Sequence, residues 1–73
     1  MSRLVRMDSA GHSKLAEWAG PGVGFEEAAA KFRAELEEGY LGVWDHRDGT
    51  ATQVRELPLD ADLVILRRPI AGG

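Results

Sequence analysis

The sequence contains no cysteine, few lysines or histidines, and no long run of apolar residues. Without cysteine the chain can form no disulfide, no thiolate metal site and no nucleophilic thiol, and this fits a reducing cytoplasm. Its apolar runs fall well short of the roughly 20 residues that span a bilayer, and its start lacks the apolar stretch of a signal peptide. We therefore expect a soluble, cytoplasmic protein that does not bind membranes.

Positive charge is also scarce. The formal net charge is −3 and the sequence pI is about 5.2, whereas proteins that bind nucleic acid generally carry a basic stripe that neutralises phosphates. The arginines are dispersed along the chain, except for Arg67 and Arg68. We therefore expect no nucleic-acid binding.

Residue patterns typical of a catalytic or metal site are missing as well. Asp45, His46 and Asp48 fall within one short turn, whose compact spacing does not suit a closed metal site, and His12 falls in a different turn. The glycine-rich segment 20–24 lacks the lysine and hydroxyl residue that complete a phosphate-binding loop. We expect neither enzymatic activity nor a resident cofactor or metal.

The 73 residues are enough for one domain with one small core. Short, partly alternating apolar segments joined by turn-forming residues predict strands, and an apolar stripe with helical spacing predicts one helix that ends at Gly39. The predicted elements are strands at 3–7 and 14–18 joined by a turn at 8–13, a loop at 20–24, a helix at 25–38, and strands at 40–44, 50–55 and 63–66.

The last predicted strand, 63–66, is apolar throughout and should lie in the centre of the sheet, covered on both faces and parallel to the first strand. Alternation then places Val64 and Leu66 beneath the helix, and Ile65 and Arg67 on the opposite face. We expect Trp44 or Val43 to neighbour Ile65. The remaining predicted core residues are Leu4 or Val5, Leu15, Trp18, Phe32 and Leu36, with Leu57 and Leu59 closing one end.

The end of the chain carries a family resemblance. The pattern Asp60-x-Asp62-x-Val64-x-Leu66, followed by Pro69-Ile70-Ala71-Gly72-Gly73, resembles the C-terminus of the β-grasp sulfur-carrier proteins of thiamine and molybdopterin synthesis. More distantly it is similar to ubiquitin. The resemblance covers the last 14 residues, and segment 40–55 matches no motif of these families. It implies an α+β fold of the β-grasp type, and the element order predicted independently above, ββαβββ with one helix on a mixed sheet, is the β-grasp order.

The resemblance also implies a function for the last residues. Residues 1–68 would form the β-grasp domain and residues 69–73 a flexible tail, and an ATP-dependent, E1-like adenylating enzyme would activate the Gly73 carboxylate. The product would be a thiocarboxylate that delivers sulfur, or a thioester passed to an amine. Gly72 and Gly73 would thread the channel of the partner, since neither has a Cβ atom.

The same resemblance implies further contacts and partners. Ile70 and Ala71 would hold the tail in register, Arg67 and Arg68 would steer it towards an acidic surface, and the sheet face around Ile65 and Trp44 would contact the partner. The chain would act as a monomer and could meet an acceptor protein, a sulfur-incorporating enzyme and a processing protease. Its only lysines, Lys14 and Lys31, limit the formation of chains through its own side chains.

A different class of function is also compatible with the sequence. The chain could be a ubiquitin-like interaction module that binds a partner through an exposed sheet face and has no chemistry at its C-terminus, because a fold alone does not define a function. The two hypotheses differ in one testable respect. An interaction module would tolerate additional residues after Gly73.

Overall fold

A computed structural model describes residues 1–9 and 11–68, in which one helix packs on one face of a five-stranded sheet. The predicted order of elements is confirmed. The elements are β1 (Ser2–Asp8), β2 (Gly11–Trp18), α1 (Val23–Glu37), β3 (Leu41–Asp45), β4 (Ala51–Val54) and β5 (Leu63–Arg67).

The strand order across the sheet is β2-β1-β5-β3-β4. β1 and β5 run parallel in its centre, with Leu4 opposite Val64, and β5 also pairs antiparallel with β3. The two hairpins, β1–β2 and β3–β4, flank this central pair. The fold is therefore α+β with a mixed sheet and one helix on one face, the β-grasp arrangement that the sequence predicts.

Two element boundaries differ from the predictions by more than one residue. β2 begins at Gly11, so the first turn is shorter than 8–13 and His12 belongs to a strand. The helix begins at Val23 rather than residue 25, because Gly22 adopts a φ of 132° and its carbonyl accepts the first helical hydrogen bond from the Glu26 N–H at 3.0 Å. The predicted helix end is confirmed, since Gly39 follows Glu38 with a φ of 104°.

The core lies between α1 and the sheet. Phe32 of the helix covers Leu4, Val64 and Leu66 of the two central strands, and all four side chains are almost fully buried. Burial of this apolar area is the main source of stability in so small a domain. The structure thus selects Leu4, rather than Val5, as the buried residue of β1.

The far end of the core is closed differently from the prediction. Trp18 is 2% exposed, as expected for a core residue, and Leu57 is buried, but Leu59 is 36% exposed. The Leu59 backbone carbonyl accepts a hydrogen bond from Trp18 Nε1 at 3.1 Å, so this residue satisfies the indole N–H rather than filling the core. Ala61 takes the buried position instead.

The prediction that β5 is covered on both faces is wrong for one of them. Val64 and Leu66 are fully buried beneath α1, but Leu63 and Ile65 are only half-buried, because no second layer of described residues lies on their side of the sheet.

The helix of the described chain is neither long nor apolar enough to cross a membrane.

Candidate functional site

The sheet face away from α1 carries apolar side chains from three neighbouring strands. Val5, Ile65 and Val43 stand side by side in one row across β1, β5 and β3, since Val5 pairs with Ile65 and Ile65 with Val43. The same register forms two neighbouring rows, one with Leu63 at its centre and one with Arg67 at its centre. We call this surface the open face; its apolar residues are Val5, Met7, Leu41, Val43, Leu63 and Ile65.

The open face is accessible and slightly concave. Ile65, Val5 and Val43 are half-buried, whereas Met7 is 47% exposed. Part of the face forms a depression of about 380 Å³ in which Leu63 and Ile65 are bordered by basic groups. An apolar centre of this kind, open to solvent and bordered by polar groups, is typical of protein interaction surfaces.

The basic border comes from several elements. Arg3 and Lys14 line the depression, and His12 lies opposite Met7 on β2. Lys14 Nζ forms an ion pair with Glu17 Oε1 at 3.0 Å, and this hydrogen bond lowers the pKa of Glu17 below its usual value. His12 was not predicted to join this surface, because the sequence pattern assigns it to a turn.

Arg67 lies on the open face at the end of β5, as predicted. It pairs in register with Leu41 on one side and Met7 on the other, and it is exposed. No ion pair joins it to any other residue within 1–9 and 11–68. Its charge is therefore available to a partner at the rim of the apolar surface.

Of the two predicted neighbours of Ile65, Val43 is confirmed, and the placement of Trp44 on this face is wrong. Trp44 pairs with Val64, so it shares the helix-covered face, where it packs against the core. Its ring lies 4.7 Å from the ring of His46. Val43 pairs with Ile65 on β5. It lies on the open face, on the other side of the sheet from Trp44, because adjacent residues of a strand point to opposite faces.

Arg68, the last described residue, points away from Arg67. Its guanidinium carbon lies 5.0 Å from the centre of the Tyr40 ring, and that of Arg6 lies 5.7 Å from the same ring. Arg6 Nη1 also donates a hydrogen bond to Glu35 Oε1 at 2.6 Å, and this raises the pKa of Arg6. The two predicted steering arginines are thus divided between the two sides of the sheet.

The Tyr40 cluster was not predicted from the sequence. Helical spacing places Tyr40 at the end of the predicted apolar stripe, but the pattern contains no sign that Arg6 of β1 and Arg68, just after β5, approach its ring. Arg6 follows the same strand face as Leu4, where an apolar residue is expected. The ion pair with Glu35 explains why an arginine is tolerated there.

The carboxylates of the β3–β4 turn hold the turn itself together. Asp45 Oδ1 accepts a hydrogen bond from the Arg47 backbone N–H at 2.7 Å, and Asp48 Oδ1 accepts from the Thr50 N–H and hydroxyl at 2.9 and 2.6 Å. His46 Nε2 lies 2.8 Å from the Thr52 hydroxyl. No three potential metal ligands converge anywhere in the described part of the chain.

Four predicted site residues, Ile70, Ala71, Gly72 and Gly73, lie outside the described residues, with Pro69. The structure therefore describes Ile65 and Arg67 on the open face, Arg68 at Tyr40, and Trp44 on the opposite face.

Comparison of the chain with protein-family models, with curated proteins and with solved structures gives no match. The structure defines the fold of the chain, an α+β domain of β-grasp arrangement. Any assignment of function has to come from the chemistry of its own residues.

Proposed function

We propose that this chain is a small ubiquitin-like carrier or modifier protein. In this proposal an ATP-dependent, E1-like adenylating enzyme activates the carboxylate of Gly73. The observation that carries the proposal is the position of β5, a central strand that is followed within the sequence by Pro69-Ile70-Ala71-Gly72-Gly73. The central position of β5 fixes the point of the domain from which this segment starts, as a carrier requires.

The chemistry needs two steps. The Gly73 carboxylate attacks the α-phosphate of ATP, which is bound by the partner, and forms an acyl-adenylate with release of pyrophosphate. A sulfur nucleophile then displaces AMP and leaves a thiocarboxylate or thioester, and a thioester can pass the acyl group to an amine. Gly72 and Gly73 suit this role because the absence of Cβ atoms leaves the reacting carbon accessible.

The open face supplies a docking surface for such a partner. Ile65, Val5 and Val43 provide its apolar centre, and Arg67, which forms no ion pair among residues 1–9 and 11–68, provides a cation on the side where β5 ends. A partner with an acidic rim around an apolar patch would fit it.

The partners that follow from the proposal are the adenylating enzyme, an acceptor protein or sulfur-incorporating enzyme, and a protease if further residues follow Gly73. The cysteine-free sequence suits a reducing cytoplasm.

The decisive experiment changes the last residue. Gly73→Val, or one additional residue after Gly73, should abolish ATP–pyrophosphate exchange with the adenylating enzyme, because a side chain or an extra residue obstructs access to the carboxylate. The thermal unfolding midpoint should stay that of the parent, since no core residue is changed. The matched control is one additional residue before Met1, which should leave the exchange activity intact. Full activation of the extended chain, without trimming, would contradict the proposal.

A second candidate function is favoured by the open face itself. An exposed apolar centre, including Met7 at 47% exposure, is also what an interaction module without C-terminal chemistry would present. The two functions separate in one binding measurement. A partner that binds the chain extended beyond Gly73 as tightly as the parent, and loses binding on Ile65→Asp, would identify an interaction module.

A further inference from the structure

β4 is a short edge strand that lacks the charges, proline and bulge that protect many such strands. Segment 51–54 contains no charged residue and no proline, and it pairs with β3 in unbroken register. The other edge, β2, differs because a bulge interrupts its pairing with β1 and because Lys14 and Glu17 lie on it. Unprotected edge strands tend to pair with a further strand.

The register shows which backbone groups of β4 are available. The His46 N–H donates to the Thr50 carbonyl at 3.1 Å, and the same register continues through Thr52 to Val54. Because hydrogen-bonded and non-hydrogen-bonded pairs alternate along an antiparallel ladder, the N–H and C=O groups of Ala51 and Gln53 point outwards. Two donors and two acceptors therefore face the outer edge.

A groove lies beside this edge. α1 packs mainly against β2 and hardly approaches β4, so two depressions open between the helix and the β4 side of the sheet. The first, of about 220 Å³, is lined by Phe25, Phe32 and Leu57, and the second, of about 250 Å³, by Leu36 and Val54. We call the two depressions together the α1–β4 groove.

Two arginines border the groove. Arg33 and Arg55 line the first depression, and Arg55 also lines the second. Both are exposed, and within the described residues neither forms an ion pair, even with Glu37 one turn beyond Arg33. Glu56 is the acidic residue of the lining. The groove thus has a partly apolar lining and a net positive border, on a chain whose net charge is −3.

We propose that β4 receives an extended segment of a partner protein as an additional strand. Alternate apolar side chains of that segment occupy the α1–β4 groove, and its acidic side chains pair with Arg33 and Arg55. Main-chain hydrogen bonds to Ala51 and Gln53 hold the backbone, as in other cases of strand addition. The proposal rests on β4 and on Arg33 and Arg55, and it does not depend on the function proposed above.

The charge of the groove decides between possible occupants. A second copy of this chain could offer its own β4, but segment 51–54 has no acidic residue and would leave both arginines unpaired. An extended segment that alternates apolar and acidic residues satisfies the backbone groups, the apolar lining and the arginines together. We therefore commit to a partner of that chemistry.

The test uses the full-length, 15N-labelled chain and a synthetic, end-capped peptide of alternating valine and glutamate, about eight residues long. This length spans a typical strand with some margin. Amide chemical shifts should change most at Ala51, Gln53 and Val54. Two matched peptides serve as controls: alternating valine and lysine, and the valine–glutamate peptide with every backbone nitrogen methylated. Neither should bind, because one reverses the charge and the other cannot form the ladder.

Variants of the chain test the charge argument. Arg33→Glu and Arg55→Glu should each weaken peptide binding by about tenfold or more. Arg47→Glu, in the exposed β3–β4 turn, is the matched control and should leave the affinity unchanged. Thermal unfolding of each variant checks that the domain still folds.

Several results would overturn the proposal. They are absence of binding at millimolar peptide, equal binding of the lysine peptide, or shifts centred on Ile65 rather than on β4. Shifts of the β4 amides that depend on protein concentration without any peptide would assign this edge to a second copy instead.

Discussion

The two faces of the sheet differ in burial, although the residues that form them on β5 are similar in size and hydrophobicity. Leu66 and Ile65 are adjacent on β5 and similar in size and hydrophobicity, but Leu66 is fully buried beneath α1 whereas Ile65 is half-buried on the open face. The difference is the layer above them, which is a helix on one side and solvent on the other. Stability is therefore concentrated on the covered face, and the open face is available for binding.

The largest expected effect comes from truncating the covered face. Leu66→Ala should lower the free energy of unfolding by about 2–5 kcal/mol, because it removes buried methyl groups and leaves a cavity beside Phe32. The matched variant is Ile65→Ala, one residue away, which should cost less than about 1 kcal/mol because the site opens to solvent. Both are measured by denaturant unfolding. Equal losses for the two variants would mean that the faces do not differ as described.

An intermediate effect is expected at Gly42 of β3, against which Phe32 of the helix packs. A Cβ atom on Gly42 would lie 2.4 Å from Phe32 Cζ and 3.0 Å from the Val54 carbonyl oxygen. Gly42→Ala should therefore destabilise the domain by about 1–3 kcal/mol through overpacking. Gly24→Ala in the first turn of α1 is the matched control, since its added Cβ finds only ordinary contacts, the nearest at 3.6 Å. If denaturant unfolding shows Gly42→Ala to be as stable as the control, Phe32 does not pack against β3 as described.

The smallest effect should come from the exposed Lys14–Glu17 ion pair at the edge of the open face. The pKa of Glu17 is lowered in the folded state, first by its hydrogen bond from Lys14. A lowered folded pKa stabilises the fold fully above the usual pKa of glutamate, and this stabilisation is lost as the pH falls through the folded value. Glu17→Gln should therefore lower the thermal midpoint slightly at pH 7.

The difference between Glu17→Gln and the parent should disappear in strong acid, and should shrink in about 1 M salt, because exposed ion pairs are screened. Lys14→Gln should show the same dependence on pH. A difference that increases as the pH falls would contradict the assignment of this ion pair.

Much of the fold follows from local patterns in the sequence. The spacing of Phe25, Phe32 and Leu36 predicts the helix, and the apolar run at Leu63–Leu66 predicts a central strand, because each period corresponds to a face of a regular element. The end of the helix at Gly39 follows from its freedom to adopt a positive φ. These features depend on neighbours along the chain, so they are visible without the tertiary structure.

The candidate site was only partly predictable. Alternation shows that Ile65 and Arg67 share a face, but it does not show whether Val43 or Trp44 stands beside them, since that depends on the register between β3 and β5. A shift by one residue would exchange the two. The half-burial of Ile65 likewise depends on what covers the sheet, which no local pattern specifies.

The sequence by itself determined the element order, the residues that face the helix on β5, and the end of the helix, because each depends on spacing over a few residues. The tertiary structure alone decided which side chains meet across strands. It brings Arg6 and Arg68 to the ring of Tyr40, turns Trp44 towards the core, and leaves a groove between α1 and β4. These contacts join segments far apart in the chain, so strand register and helix placement control them, and neither is encoded in a local period.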